Sequence, residues 1–359
     1  AAEASDEVFL TALEHFDEKY VEAINYRNKS ERAETPKAVL LIDIESNDES
    51  MLDGMCAGML TLVKVYNTEG FVAENEAARE KFWKDRKNLG AIARHTNAFK
   101  LNEDIVIPIE KLPQFADFIE KLNIRKEMEN NIAIIAAVES YLEKASERSD
   151  DEFFKKKVAP YIGRIKACRL DHRDYIDHLD SPARELFKYQ SDYADEMRTV
   201  FKLIQAGDIV ISLDRDVIEL FHSSFKGYDR EIQKFASIVD AERKRKIIIA
   251  THMHAGDGNV HVNIPVFSND YLMMKEADDT AGTVMQETVK MGGVISGEHG
   301  IGLTKLRFIE QSVLDSYAEY KREADPDDLF NPGKLRSDFP LHRIYTPSFN
   351  LLELEAFIL

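Results

Sequence analysis

The sequence predicts an α+β fold in which helices cover a mainly antiparallel sheet, and three observations carry that prediction. Apolar runs of strand length recur at Ala38–Ile44, Asp104–Pro108, residues 247–253 and Val260–Phe267. Amphipathic segments of helical length lie around them. Two of the runs flank Asp257-Gly258, a dipeptide that favours a tight turn between antiparallel neighbours.

Taken in order, Asp6 to Arg32 reads as an acidic helix and Ala38–Ile44 as a strand. Residues from about Asn47 to Tyr66 read as a helix. A short strand near Gly70 to Ala73 leads into a helix through Trp83, and Asp104–Pro108 is a further strand before a helix starting near Leu112-Pro113. Between about Asn123 and Lys246 the pattern changes to long helical stretches, among them Ala133 to Leu142 and Tyr189 to Gln205. Pro160, Pro182 and Gly207 punctuate that region. The segment from about Asn269 to Met291 stops at Gly292-Gly293, as a helix C-terminus does, and Val294-Ile-Ser296 follows as a short strand. Four parts are therefore expected: a helical segment 1–36, a domain formed by 37–122 and 246–340, a helical insertion 123–245, and 341–359 as an apolar tail or a linker to a missing region.

The 359 residues, 44% hydrophobic and 31% charged, can bury a substantial core. A net charge of -18 argues against a nucleic-acid partner, whose phosphates require basic surfaces. Only Cys56 and Cys168 are present, too few for a disulfide framework or an iron–sulfur ligand set. No apolar run is long enough for a transmembrane segment, and Ala1-Ala-Glu-Ala-Ser-Asp lacks the basic and apolar regions of a signal peptide, so a cytoplasmic location is expected.

Chemistry concentrates in two glycine-rich loops. His254-Ala-Gly-Asp-Gly-Asn-Val-His261 and Gly-Glu298-His299-Gly300 supply imidazole and carboxylate groups. A catalytic metal centre uses about three such ligands and leaves a position open, and His254, His261 and Glu298 provide three. If the hairpin closes, the two histidines approach each other, and period-two alternation puts Asn263 on the face of His261. In extended backbone Glu298 and His299 point to opposite sides, which leaves His299 as a base beside the metal.

These two loops are similar to the GHxGDGNxH and GGxxxGEHGxG motifs of the C-terminal domain of FAD-linked 2-hydroxy-acid dehydrogenases, a group of the vanillyl-alcohol oxidase superfamily that includes D-lactate dehydrogenases, the glycolate oxidase catalytic subunit and D-2-hydroxyglutarate dehydrogenase. Asp325-Pro-Asp-Asp-Leu-Phe-Asn331-Pro-Gly-Lys334 resembles the terminal DPxxxxNPGK segment of that family. Upstream, Trp83-Lys-Asp-Arg86 resembles its WxxR segment, and Lys100 precedes a DxxxP strand at Asp104–Pro108.

The resemblance implies a ferredoxin-like C-terminal fold of the FAD-linked oxidase type and oxidation of a D-2-hydroxy acid. His299 would take the hydroxyl proton while hydride passes to the flavin. His254, His261 and Glu298 would hold zinc, manganese or iron. Arg86 and Lys100 would bind the substrate carboxylate, with Arg94 and His95 as alternatives to Lys100, and Asn263 would orient the substrate. Asn331 and Lys334 would approach the flavin. Relatives carry an N-terminal FAD-binding domain, for which the residues before Lys37 are too few. The chain is thus expected to be a fragment, inactive alone, whose partners are that domain, the substrate and an electron acceptor. A metal-dependent hydrolase and an interaction or assembly module are the competing readings.

Overall fold

A computed structural model describes residues 8–23, 35–66, 68–86, 99–187, 192, 196–301 and 305–332. Arg94, His95, Lys334 and the apolar tail 341–359 lie outside them, as does the side chain of Arg86. The chain divides into two compact units, one formed by Ala1–Ala116 with Ile248–Leu359 and the other by Asp117–Ile247.

The first unit is built on a five-stranded antiparallel sheet. Its strands are β1 (Val8–Asp17), β2 (Ala38–Ser46), β3 (Phe99–Val106), β4 (Ala250–His254) and β5 (Asn259–Val266), in the order β2-β1-β4-β5-β3. Helices α1 (Glu18–Ala23), α2 (Glu49–Val65) and α3 (Glu76–Arg86) accompany the first strands. Helix α4 (Leu112–Arg148) starts in this unit and continues into the second.

The expected N-terminal helix is corrected by β1 and α1. Val8–Asp17 pairs with β2 along its length and with β4 at Glu14, His15 and Phe16. Its Val-Phe-Leu-Thr-Ala-Leu run is apolar enough to gain more from a sheet than its acidic neighbours gain from helix propensity. Helix begins only at Glu18, where Asp17 caps it: the Tyr20 N–H donates to Asp17 Oδ1 at 2.7 Å. Two short strands are also corrected. Residues 68–74 form no strand, and Val294 makes only an isolated bridge to Val106.

Register places Ala250, His252 and His254 on one sheet face together with Asn259, His261 and Asn263, with Asp104 opposite His261 and Asn102 opposite Asn263, and with Glu14 and Phe16 on β1. The alternate residues Leu101, Ile105, Val260, Val262 and Ile264 are buried on the other face. Helix α10 (Tyr271–Lys290) packs against β3 and β5 and buries Met273, Met274, Ala277, Ala281, Val284 and Met285. Helix α11 (Gln311–Ala324) follows, and the described part of the unit runs on to Pro332.

The second unit is helical. It comprises most of α4, then α5 (Glu152–His178), α6 (Ala183–Leu186), α7 (Val200–Ala206), a π-helical turn at Asp214–Glu219, α8 (Leu220–Ser224) and α9 (Asp229–Arg243). Its core joins Ile134, Ile135, Val138 and Leu142 to Phe154, Tyr161, Ile165, Phe221, Phe225 and Phe235. Phe221 and Phe235 stack with centroids 3.9 Å apart.

Candidate metal centre and active site

The β4–β5 hairpin brings the two motif histidines together. Its turn, Ala255–Gly258, needs glycine at the last position: Gly258 has φ 71°, and a Cβ there would lie 2.2 Å from the Ile107 carbonyl oxygen. Gly258 in turn accepts the Ile107 N–H at 2.8 Å, which ties the turn to the residue after β3. The rings of His254 and His261 meet edge to face with centroids 5.5 Å apart.

Glu298 arrives from the segment after α10. Its Oε1 lies 3.6 Å from His254 Nε2 and its Oε2 3.6 Å from His261 Nε2. One donor atom from each of the three residues lies within 4.8 Å of the others. Ligands at about 2.0–2.2 Å from a tetrahedral ion are separated by about 3.3–3.6 Å, a range that the two 3.6 Å separations from Glu298 meet. The donor set, two imidazoles and one carboxylate, suits zinc, manganese or iron.

The surroundings of the two histidines suit them to hold a metal. His254 Nδ1 is hydrogen-bonded to Glu14 Oε1 at 2.7 Å, which fixes the ring with its Nε2 on the side of Glu298. His261 is 4% exposed, and its burial lowers its pKa, with the Glu298 carboxylate opposing and the neighbouring His254 and His299 reinforcing the shift. A neutral ring is the form that binds metal. His252 stacks face to face on His261 at 4.5 Å, and Tyr20 of α1 stands 5.0 Å from the His252 ring. These aromatic groups wall one side, while Glu298, 52% exposed, opens the other to solvent.

His299 stands beside these three residues, its ring centroid 5.5 Å from that of His261. The expected strand alternation does not separate it from Glu298. Residues 297–299 instead bend around Asp104, whose Oδ2 accepts the N–H groups of Gly297 at 2.7 Å, of Glu298, and of His299 at 3.0 Å. Gly297 has no room for a side chain, because a Cβ would lie 2.1 Å from Asn259 Nδ2. Lys305 donates to Asp104 Oδ1 and, at 2.8 Å, to the Asp104 carbonyl. Burial alone would raise the Asp104 pKa, but the Lys305 ammonium and the backbone donors outweigh it and hold the carboxyl well below the usual carboxylate range.

Lys100 and Asn263 form an adjoining polar group. Lys100 Nζ donates to Asn263 Oδ1 at 2.8 Å, and burial lowers the Lys100 pKa. Asn263 Nδ2 lies 3.3 Å from His252 Nδ1, which links this pair to the stacked histidines.

Asn331 follows α11 in the chain and lies in the left-handed region at φ 46°. Its loop is organised by Asp325, which accepts the N–H groups of Leu329 at 2.9 Å and Phe330 at 2.8 Å and pairs with Lys321. Those bonds, led by the one from Lys321, bring the Asp325 pKa down to about 2.

Four residues of the site escaped sequence reasoning. Glu14 was hidden in a segment read as helix, and Lys305 lies in no quoted motif. Asp104 was noted only as part of a strand signature. His252 did leave a signal, since Thr-His252-Met-His254 places two imidazoles on one face of a strand.

Comparison with known proteins decides the family. The family model for the C-terminal domain of FAD linked oxidases matches residues 1–138 and 228–335. The chain belongs to that family. It is 37% identical over 206 residues to a D-lactate dehydrogenase of Archaeoglobus fulgidus, a match covering 51% of this chain and 44% of that protein. It is 31% identical over 103 residues to the glycolate oxidase subunit GlcD of Bacillus subtilis, covering 28% of this chain and 22% of the relative. A D-2-hydroxyglutarate dehydrogenase of Stutzerimonas stutzeri is 39% identical over 90 residues, covering 23% and 19%. The chain thus matches less than half the length of each of these relatives.

Proposed function

We propose that this chain is the substrate-binding and catalytic half of a flavin-dependent D-2-hydroxy-acid dehydrogenase, acting with an FAD-binding domain outside these 359 residues. The observation that carries the reading is the convergence of His254 Nε2, His261 Nε2 and the Glu298 carboxylate within 4.8 Å, with His299 beside them. Family membership and the names of the relatives support the flavin and the substrate class.

In this reading His254, His261 and Glu298 hold a divalent ion, which when bound polarises the substrate hydroxyl and stabilises its developing negative charge. The half-exposed side of Glu298 leaves room for the hydroxyl to enter. His299 accepts the hydroxyl proton at an imidazole nitrogen as hydride leaves C2 for the flavin. Lys100 with Asn263 orients the substrate, and Arg86 binds its carboxylate. Asn331 and Lys334, of the segment that resembles the family's NPGK motif, are assigned to the flavin. A hydrolase would use the same ligands on water, but the match to the oxidase family model gives it no support.

Two measurements test the proposal. Metal analysis of the chain after exposure to zinc or manganese should give one equivalent, and His254→Ala or His261→Ala should lose it. Within the longer polypeptide that carries the flavin, an anaerobic D-2-hydroxy acid should bleach the flavin spectrum. Full metal content in both histidine variants removes the metal assignment, and a flavin untouched by a panel of short D-2-hydroxy acids removes the substrate class.

A further inference from the structure

We propose that Asp104 is a positioning residue for the metal centre: through Lys305 and three backbone amides it sets how closely Glu298 approaches His254 and His261. The inference rests on the metal assignment above and adds to it the device that assembles the ligand set. Asp104 is the aspartate of the DxxxP strand, a motif to which the proposed chemistry gives no task.

Asp104 touches both halves of the site. Its backbone is on β3, in register opposite His261 on β5, so it shares a rigid ladder with one ligand. Its side chain receives three successive N–H groups, from Gly297, Glu298 and His299, on the single oxygen Oδ2. Successive amides turned toward one point form an anion nest, and the anion here is a side chain of the protein itself. The distance between His261 and Glu298 is thereby spanned by one residue. Glu298, half exposed, has little packing to hold it, so its placement depends on its backbone.

The arrangement depends on charge. The Asp104 side chain is 0% exposed and that of Lys305 5%, and such a pair persists in a protein interior only when its donors and acceptors are matched. Asparagine has the shape of aspartate but replaces one acceptor with two donors. In either amide orientation, Asp104→Asn turns an N–H₂ group toward the Lys305 ammonium or toward the three amides. Either outcome loosens residues 297–299 without removing a metal ligand.

The test is a double-mutant cycle on the chain, read by cobalt(II) titration with its visible d–d absorption. Asp104→Asn should weaken cobalt binding by about 10–100-fold, the range for residues that orient ligands, and should alter the band shape as the Glu298 oxygen withdraws. In a Glu298→Gln background the same change should cost less than about threefold, because the ligand it positions is already gone. Lys305→Met should repeat both results, and it serves if Asp104→Asn does not fold. Asp278→Asn, which breaks a surface pair with Arg307, should leave cobalt affinity unchanged. Parental affinity in folded Asp104→Asn overturns the proposal, and so does an equal loss in both backgrounds, the mark of a general structural effect.

Hydrogen exchange on metal-free protein separates this inference from the metal assignment. The 297–299 amides should lose protection in Asp104→Asn and Lys305→Met while those of β5 keep theirs. If the parent chain binds no cobalt but this exchange pattern appears, the metal reading fails and the positioning of the loop stands. If these amides exchange alike in parent and variants, the positioning fails too.

Discussion

Glu298 and His299 are neighbours in the chain to which the proposed function gives separate tasks, and substitution should part them. Glu298→Gln keeps the size of the side chain but offers a weaker donor, so metal content should fall along with turnover. His299→Asn should keep the metal and slow flavin reduction in the complete polypeptide by about 10²–10⁴, the range for loss of a positioned base. Single-turnover reduction with metal analysis on the same sample checks both, and a His299→Asn enzyme reducing its flavin at the parent rate would hand the base role to another group. The candidate ligands stood out in the sequence because histidine, glycine and carboxylate recur in two short loops. Their supports were not. Glu14 is about 240 positions from His254 in sequence and meets it only through the β1–β4 ladder, and Asp104 reaches residues 297–299 only because Val106 pairs with Val294.

At the scale of elements, the hairpin and the strands around it were readable, since alternation and Asp257-Gly258 are local signals. The N-terminal strand was not, because its place in the sheet depends on partners far along the chain. Asp17, at the junction of β1 and α1, gives a pH test of that placement. It accepts the Tyr20 N–H, and the Thr251 N–H and hydroxyl at 2.7 and 2.8 Å, yet burial prevails over these bonds and raises its pKa to about 6. A carboxyl with a raised folded-state pKa stabilises the fold when protonated. Its contribution is complete below about pH 4 and is lost as pH climbs through about 6, amounting at most to about 3 kcal/mol. The stability of the parent relative to Asp17→Asn should therefore decline between about pH 4 and 6.5, and the Asp17 carboxyl carbon should titrate near 6 by NMR. A midpoint near 4 would mean that β1 does not bury this group. On the other side of the site, Gly258→Val should destabilise the hairpin by more than about 1 kcal/mol, because valine meets both a positive φ and the Ile107 carbonyl oxygen. Denaturant unfolding measures it, and an unchanged midpoint would contradict the turn geometry.

For the whole molecule, the division of labour between the two units is itself testable. Every side chain assigned to the metal lies in the unit formed by Ala1–Ala116 and Ile248–Leu359, whereas the aromatic core of Phe221, Phe225 and Phe235 lies in Asp117–Ile247. Phe221 is fully buried and stacks on both Phe225, at 4.5 Å, and Phe235, at 3.9 Å. Truncating it removes those contacts and leaves a cavity that stiff aromatic neighbours fill poorly, so Phe221→Ala should cost about 3–5 kcal/mol. Tyr161→Phe should cost less, about 1–3 kcal/mol, since it only deprives the buried Val217 carbonyl of the hydroxyl that donates to it at 3.0 Å. Neither change touches a ligand or the loop that carries Glu298. Cobalt affinity measured well below the unfolding midpoint should therefore match the parent in both variants, even as that midpoint falls. A loss of affinity in Phe221→Ala at a temperature where its circular dichroism is still native would show that the helical unit helps to shape the proposed metal centre.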